Sequence, residues 1–154
     1  MKYTLEVDIN LPLAQVIQLF DSTENMYKWM EGLQSFEALE GIPGQVDAKS
    51  KMVFLEGKRS IEMIETITVK NLPDEFSATY EAKGVYNVVK NRFATRDNNQ
   101  TQYITEQEFQ FTGFMKYMAM VMPGAFKKQT LQHMNAFKKF AESQGREWEA
   151  SLFD

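Results

Sequence analysis

Apolar and polar residues alternate with a period of two along most of the first 111 residues. In the opening segment polar residues separate four apolar ones, Tyr3, Leu5, Val7 and Ile9. This period is typical of a strand with one buried face. Turn signals rich in Gly, Pro, Asn and Asp separate six further segments of the same kind. They predict strands over residues 34–39, 49–56, 60–70, 75–82, 86–95 and 102–111. Because the loops are too short for parallel crossovers, we expect an antiparallel meander.

The apolar period changes to that of a helix in two regions. Pro12 suits the first turn of a short amphipathic helix, and a second short helix is predicted over residues 24–30. Near the C-terminus an apolar and then amphipathic segment runs from Gly113 to Gly145, with a bend or helix start expected at Pro123. The long helix that follows has an apolar face formed by Phe126, Thr130, Met134, Phe137 and Ala141. These elements together predict a single α+β domain.

Several of these features occur in the same order in a known superfamily. They are the strand followed by LPLAQV at residues 11–16, Asp21 and Trp29, the run of hairpins, and a close from Phe114 through Pro123 to FKKFAE at residues 137–142. This order resembles the START-like, or SRPBCC, superfamily, near its polyketide cyclase/dehydrase and coenzyme Q-binding branches. The resemblance implies a helix-grip fold, in which a curved seven-stranded antiparallel sheet wraps around the long C-terminal helix. Two short helices lie between strands one and two. A cavity between the sheet and the long helix would hold an apolar or amphipathic small molecule.

The resemblance covers residues 1–145, which we interpret as one ligand-binding domain. Residues 146–154 are then a C-terminal tail. We expect the tail to be partly ordered, either as a frayed end or as a short extension packed through Trp148.

Composition excludes several classes of function. The net charge is -4 and the lysines are dispersed, which disfavours nucleic acid as a partner. The chain has no Cys and no metal-binding, nucleotide-binding or serine-hydrolase motif, so we predict neither a metal nor another cofactor. The first ten residues lack the apolar run of a signal peptide, so we expect a cytoplasmic protein.

The hairpin loops also predict which residues pair across the sheet. Two-residue loops at 57–58 and 83–84 place Ser50 opposite Glu65, Met52 opposite Met63, Tyr80 opposite Asn87 and Phe76 opposite Asn91. The longer loops place Glu65 opposite Tyr80 and Asn91 opposite Gln107. The more apolar row of each strand is expected to face inward, and on the fourth strand that row includes Glu65, Ile67 and Val69.

Polar side chains on this inward face predict a partly wet pocket, because buried polar groups need hydrogen-bond partners. The candidate ligand-binding residues are Met63, Glu65, Phe76, Tyr80, Asn87, Asn91, Thr105, Gln107, Phe109, Met118, Met122, Phe126, Thr130 and Met134. The alternative is that the polar residues only pair with each other. Glu65 is the candidate acid or base, assisted by Tyr80, if its pKa is raised by burial. A simple hydrogen bond to Tyr80 is the other interpretation.

Two further features have ordinary explanations. The methionines of residues 115–122 fill a core or line an adaptable pocket. About ten apolar residues containing Lys116 cannot span a bilayer, although transient membrane contact fits this segment. His133, the only histidine, is expected at the boundary of the helix's apolar face and not as a catalyst.

Three functions remain open at this point. The first is a binding or carrier protein for a hydrophobic or amphipathic small molecule. The second is a cofactor-free cyclase or dehydratase acting on a polyketide-like substrate through Glu65 and Tyr80. The third is an accessory protein acting through a partner surface. The sequence does not predict an oligomeric state.

Overall fold

The alternating segments pair into one antiparallel sheet, and the helical segments lie before and after its central strands. The computed structural model describes residues 1–153. Its strands are β1 (Lys2–Ile9), β2 (Leu33–Glu40), β3 (Lys49–Glu56), β4 (Arg59–Asn71), β5 (Glu75–Ala82), β6 (Val85–Arg96) and β7 (Gln100–Phe111). Its α-helices are α1 (Leu13–Phe20), α2 (Thr23–Trp29), α3 (Phe114–Val121) and α4 (Gly124–Ser151).

The strand order in the sheet is β1-β7-β6-β5-β4-β3-β2. Strands β2 to β7 form the predicted meander, and β1 returns to pair with the last strand. Gly57 and Gly84 have φ of 62° and 77°, which suits the tight turns that begin β4 and β6. These turns set the pairing of β3 with β4 and of β5 with β6, whereas the pair of Glu65 with Tyr80 spans the longer 72–74 loop. The structure confirms Ser50 opposite Glu65, Met52 opposite Met63, Glu65 opposite Tyr80, Tyr80 opposite Asn87 and Phe76 opposite Asn91.

The predicted pairing of Asn91 with Gln107 is wrong by two residues. Asn91 lies opposite Thr105, and Gln107 lies opposite Val89. The hairpin closes with only three residues, 97–99, in which Asn98 and Asn99 both have positive φ. The strands therefore extend further toward the turn than the alternating pattern indicates. A shift of two residues leaves every side chain on its predicted face.

A bulge in β4 overturns the predicted inward position of Val69. The register shifts between Ile67 and Val69, so that Val69 lies opposite Ser77 in the outer row. Lys70 consequently takes the inward row, opposite Phe76. Its ammonium group lies 3.2 Å from a carboxylate oxygen of Asp21, in the turn between α1 and α2.

The predicted break near Pro123 is confirmed, because α3 ends at Val121 and α4 begins at Gly124. Of the two alternatives for the tail, the structure has the extension, because helix α4 continues to Ser151. Trp148 is 55% exposed, so the extension is not packed through this side chain as expected. A domain boundary at residue 145 stays a prediction.

The core lies where α4 meets β1, α1 and α2. The buried face of α4 consists of Met134, Phe137, Ala141 and Gly145. The Phe137 ring lies 5.0–5.9 Å, centroid to centroid, from the rings of Phe20, Trp29 and Tyr103. Gly145 allows α4 to pack closely against Leu11, because a Cβ at position 145 would collide with the side chain of Leu11. This aromatic cluster therefore joins the C-terminal half of α4 to the short helices and to the sheet.

Replacing the centre of this cluster is expected to destabilise the whole fold. Phe137→Ala should lower the free energy of unfolding by about 3–5 kcal/mol, since it leaves a cavity among three aromatic rings. Urea denaturation measures the change. Leu131→Ala, on the exposed side of the same helix, is the control and should change the free energy by less than about 0.5 kcal/mol. Equal effects of the two substitutions would contradict this assignment of the core.

Candidate functional site

The inward face of β4 to β7 forms a wall of mixed apolar and polar side chains. Glu65, Asn91 and Thr105 are buried in it. The other sheet residues of the predicted site are half-buried: Met63, Phe76, Tyr80, Asn87, Gln107 and Phe109. They share this face with Tyr103, which packs on Phe137 of α4. The wall thus keeps accessible surface on the same side of the sheet as the helical core.

Glu65 and Tyr80 occupy neighbouring positions on β4 and β5. The Tyr80 hydroxyl donates a hydrogen bond of 2.8 Å to Oε2 of Glu65. Burial raises the pKa of the Glu65 carboxyl, and the hydrogen bond from Tyr80 opposes this only in part. Burial and the nearby Glu65 charge together raise the pKa of Tyr80 well above its usual range. The arrangement holds a carboxyl group that takes up a proton more readily than an exposed glutamate.

A second group of polar side chains pairs internally. The Asn87 Nδ2 donates to Oε1 of Gln107 and to the backbone oxygen of Glu108, each over 3.1 Å. The Gln107 Nε2 donates in turn to Oγ1 of Thr105 over 2.8 Å. The alternative that these residues hydrogen-bond to each other is therefore realised for this part of the predicted site.

Asn91 differs from its neighbours because its Oδ1 is buried and has no hydrogen-bond partner within the described residues. The residue is only 6% exposed, and it lies between Phe76 on one strand and Thr105 on the other. An unpaired buried acceptor costs about 1–3 kcal/mol. The wall therefore includes one amide oxygen whose hydrogen-bonding capacity is unused.

The helical side of the predicted site is divided between three environments. Phe126 packs against Phe109 and Phe111, with ring centroids 5.3 and 4.8 Å away. Met118 and Thr130 are also half-buried. Met134 is completely buried in the core around Phe137. Met122 lies between α3 and α4 with half of its surface exposed, so it does not extend the buried face of α4 as expected.

Sequence reasoning missed Tyr3 as a contact between sheet and helix. Its hydroxyl lies 2.6 Å from Oγ1 of Thr130 and donates to the backbone oxygen of Phe126 over 3.1 Å. The alternation of β1 already placed Tyr3 in an inward row, so a signal was present.

The solitary His133 is exposed and lies against Trp29, with ring centroids 4.7 Å apart, which agrees with its expected boundary position.

Two surface depressions lie mostly outside this wall, and the first of them includes Gln107 of the wall. One depression lies along β1, β6 and β7 near Lys2, Lys90 and Glu106, and another lies between Asn10 and the end of α4. Neither includes Glu65 or Tyr80. Residues 1–153 contain no cluster of three His, Cys, Asp or Glu side chains suited to a metal ion. None of the helices in that range is long and apolar enough to cross a bilayer.

The raised pKa of Glu65 predicts a specific pH dependence of stability. Between the pKa of the unfolded chain, about 4.3, and the higher folded value, the native protein binds more protons than the unfolded chain. Its stability relative to Glu65→Gln should therefore fall as the pH rises through this window and become constant above it. Urea denaturation of both proteins across the window measures the difference.

Two further substitutions make this test specific. Glu62→Gln, on the exposed face of the same strand, should keep the wild-type pH profile. Tyr80→Phe should raise the pKa of Glu65 further, because it removes the donor that favours the carboxylate. A carbon-detected NMR titration that placed the Glu65 pKa at or below about 4.3 would refute the assignment.

Comparisons with known proteins were made for both sequence and structure. No protein-family model matches the sequence, and neither does any curated protein. Solved structures do match. TTHA0849 from Thermus thermophilus has a TM-score of 0.75 at 11% identity, over 94% of this chain and 99% of that chain. Ara h 8.0201 has a TM-score of 0.73 at 15% identity, over 93% of this chain and 98% of that chain.

Two enzymes have the same architecture. The Zhui aromatase/cyclase from Streptomyces sp. R1128 has a TM-score of 0.74 at 12% identity, over 92% of this chain and 93% of that chain. Norcoclaurine synthase from Thalictrum flavum, in complex with dopamine and hydroxybenzaldehyde, has a TM-score of 0.69 at 13% identity, over 91% and 85%. At these identities the likeness concerns the fold. The chain has the helix-grip fold that its sequence predicts, with the long C-terminal helix packed on a seven-stranded antiparallel sheet.

Proposed function

We propose that the protein binds a hydrophobic or amphipathic small molecule against the inward wall of β4 to β7. The observation that carries this proposal is the accessible surface of that wall. Met63, Tyr80 and Phe109 face the same side of the sheet as the core, yet each keeps part of its surface exposed. A mostly apolar concavity with a few polar groups is the usual form of a small-molecule site.

The polar groups indicate the chemistry of the ligand. Asn91 offers an unpaired acceptor, and a protonated Glu65 carries a hydroxyl that can donate. A ligand with an apolar body and at least one hydroxyl or amine would pair with these groups and relieve the cost of leaving Asn91 unpaired. Similar structures support a role in handling small molecules, since one was solved with dopamine and hydroxybenzaldehyde and another is an aromatase/cyclase.

A cofactor-free cyclase or dehydratase is the second candidate. The hydrogen-bonded pair of Glu65 and Tyr80 favours it, because burial moves the carboxyl pKa toward the range in which general acids and bases operate. The two candidates differ in their response to Glu65→Gln. In both cases Glu65→Gln should keep its affinity for the ligand. A carrier has no turnover to lose, whereas an enzyme should lose its turnover. Action through a partner surface and a cytoplasmic location stay predictions.

Filling the wall should block binding. Met63→Trp adds volume to an inward, half-buried position and should weaken binding of an uncharged environment-sensitive naphthalene dye at least about tenfold. Ile64→Trp is the matched control, because the next residue of the same strand points to the opposite face. Fluorescence titration of the wild type should show about one dye per chain. Absence of binding to the wild type, or equal losses in both variants, would contradict the proposed site.

The unpaired amide of Asn91 predicts an unusual combination of effects. Asn91→Leu keeps the number and branching of the side-chain heavy atoms and removes a buried acceptor without a partner, so the free energy of unfolding should stay the same or rise. We expect the wild type to bind 2-naphthol more tightly than naphthalene, because the hydroxyl can donate to Asn91, and the variant to lose this preference.

Thr105→Val is the control for this test. It removes the hydroxyl that accepts a hydrogen bond from Gln107 and should lower the free energy of unfolding by about 1 kcal/mol. If Asn91→Leu destabilises the protein at least as much, the amide of Asn91 is satisfied in the native state. The polar part of the proposal would then fail.

A further inference from the structure

Helix α3 is apolar on both of its sides. Its inner side carries Met115, Met118 and Ala119, which are half-buried or buried. Its outer side and the residue after it form what we call the α3 apolar face. These residues are between 50% and 76% exposed: Phe114, Tyr117, Met120, Val121 and Met122. A helix on the surface of a globular protein normally presents polar residues to water. Adjacent exposed apolar side chains of this size mark an interaction surface.

The charge around this face is the opposite of the charge of the chain as a whole. Residues 109–141 contain five lysines and no Asp or Glu, whereas the rest of the chain has 12 basic and 21 acidic residues. Lys116 lies on α3, and Lys127 and Lys128 lie in the first turns of α4, all exposed. Local positive charge in an acidic protein favours a negatively charged partner.

We propose that the α3 apolar face docks the protein on the surface of an anionic lipid bilayer. Aromatic and flexible apolar side chains enter the interface, and the neighbouring lysines reach the lipid headgroups. Eight helical residues span only about 12 Å, so α3 lies in the interface and does not cross the bilayer. A second copy of the chain is a poorer occupant, because a symmetric dimer through this face would bring the lysines of both copies together.

The position of α3 connects this face to the accessible wall. The backbone N–H of Thr112, just before α3, donates to the oxygen of Gly84 in the β5–β6 turn over 3.0 Å. Phe109 and Phe111 of β7 meet Phe126 just after α3 and Pro123. A bilayer under α3 therefore lies at the end of the wall formed by Asn87 and Phe109. Docking itself does not depend on the function proposed above.

The absence of cysteine makes a site-specific test direct. Met120→Cys gives a single labelling site on the α3 apolar face, and Ile42→Cys gives a matched exposed site elsewhere. Each variant carries an environment-sensitive fluorophore and is mixed with vesicles of equal parts phosphatidylcholine and phosphatidylserine. The label at 120 should shift to shorter wavelength and become protected from an aqueous quencher, and the label at 42 should not. Vesicles of phosphatidylcholine alone should bind more weakly.

Vesicle cosedimentation of unlabelled variants separates the two contributions. Phe114→Ser with Met120→Ser should weaken binding at least about tenfold, since less apolar surface is buried. Lys127→Gln with Lys128→Gln should weaken it by about fivefold per lysine and reduce its sensitivity to salt. Ile42→Ser with Leu55→Ser removes exposed apolar side chains outside this region and should leave binding unchanged.

Several results would overturn the proposal. The first is wild-type protein that does not bind the anionic vesicles. The second is binding that survives the double substitution in α3. The third is sedimentation velocity showing a dimer that Phe114→Ser with Met120→Ser converts to a monomer, without vesicle binding, since the face would then be a contact between two copies.

Discussion

The packing of the C-terminal half of α4 is the constraint on which the rest of the structure depends. Phe137 lies within ring contact of residues from α1, α2 and β7, and Met134 and Ala141 beside it are completely buried. These contacts join elements that are far apart in the sequence. They also hold one end of the long helix close to the end of β1, because the absence of a Cβ at Gly145 lets the helix backbone pack against the side chain of Leu11.

The N-terminal half of α4 is attached much more lightly. Its contacts with the sheet include the hydrogen bonds of Tyr3 with Thr130 and with the backbone oxygen of Phe126, and the packing of Phe126 on two rings of β7. The protein is thus tightly packed around Phe137 and more accessible to solvent around Met63, Tyr80 and Phe109, which remain half-buried. Openness at one end is compatible with stability, because the other end buries most of the large apolar side chains of the core.

Much of the sheet follows directly from the alternation of residues and from the two-residue turns. Such a turn leaves one register, so the pairs of Tyr80 with Asn87 and of Phe76 with Asn91 were predictable. The pair of Glu65 with Tyr80 spans the longer 72–74 loop and was predicted from the length of that loop. The β6–β7 hairpin was misjudged because Asn98 and Asn99 close it in the left-handed region, which lets polar residues near the turn stay in the strands. The bulge after Ile67 was not predictable from the sequence, because Thr68 and Val69 continue the normal alternation of polar and apolar residues. The extra residue is visible only in the pairing of β4 with β5.

The helical side of the site was less predictable, for a different physical reason. The apolar stripe of α4 was extended backward through Pro123 to Met122, but a helix transmits its periodicity only while its backbone is continuous. Met122 has φ of -128° and ψ of 62°, which are not helical, so its side chain is rotated away from the stripe. Met134 lies on the stripe as predicted, yet periodicity cannot distinguish a residue facing a cavity from one facing a packed core.

The polar groups of the wall are placed where the sheet can adjust least. Glu65, Tyr80 and Asn91 lie on β4, β5 and β6, and each of these strands is hydrogen-bonded on both edges. The backbone there cannot move to supply a partner for Asn91 or a second donor for Glu65. A packed domain under selection for stability alone would favour apolar residues at such positions, because an unpaired buried group only costs free energy. Fixed polar groups in a rigid apolar wall instead reduce the reorganisation that a ligand must induce. In the function that we propose, the cost in stability and the readiness for binding are two consequences of the same placement.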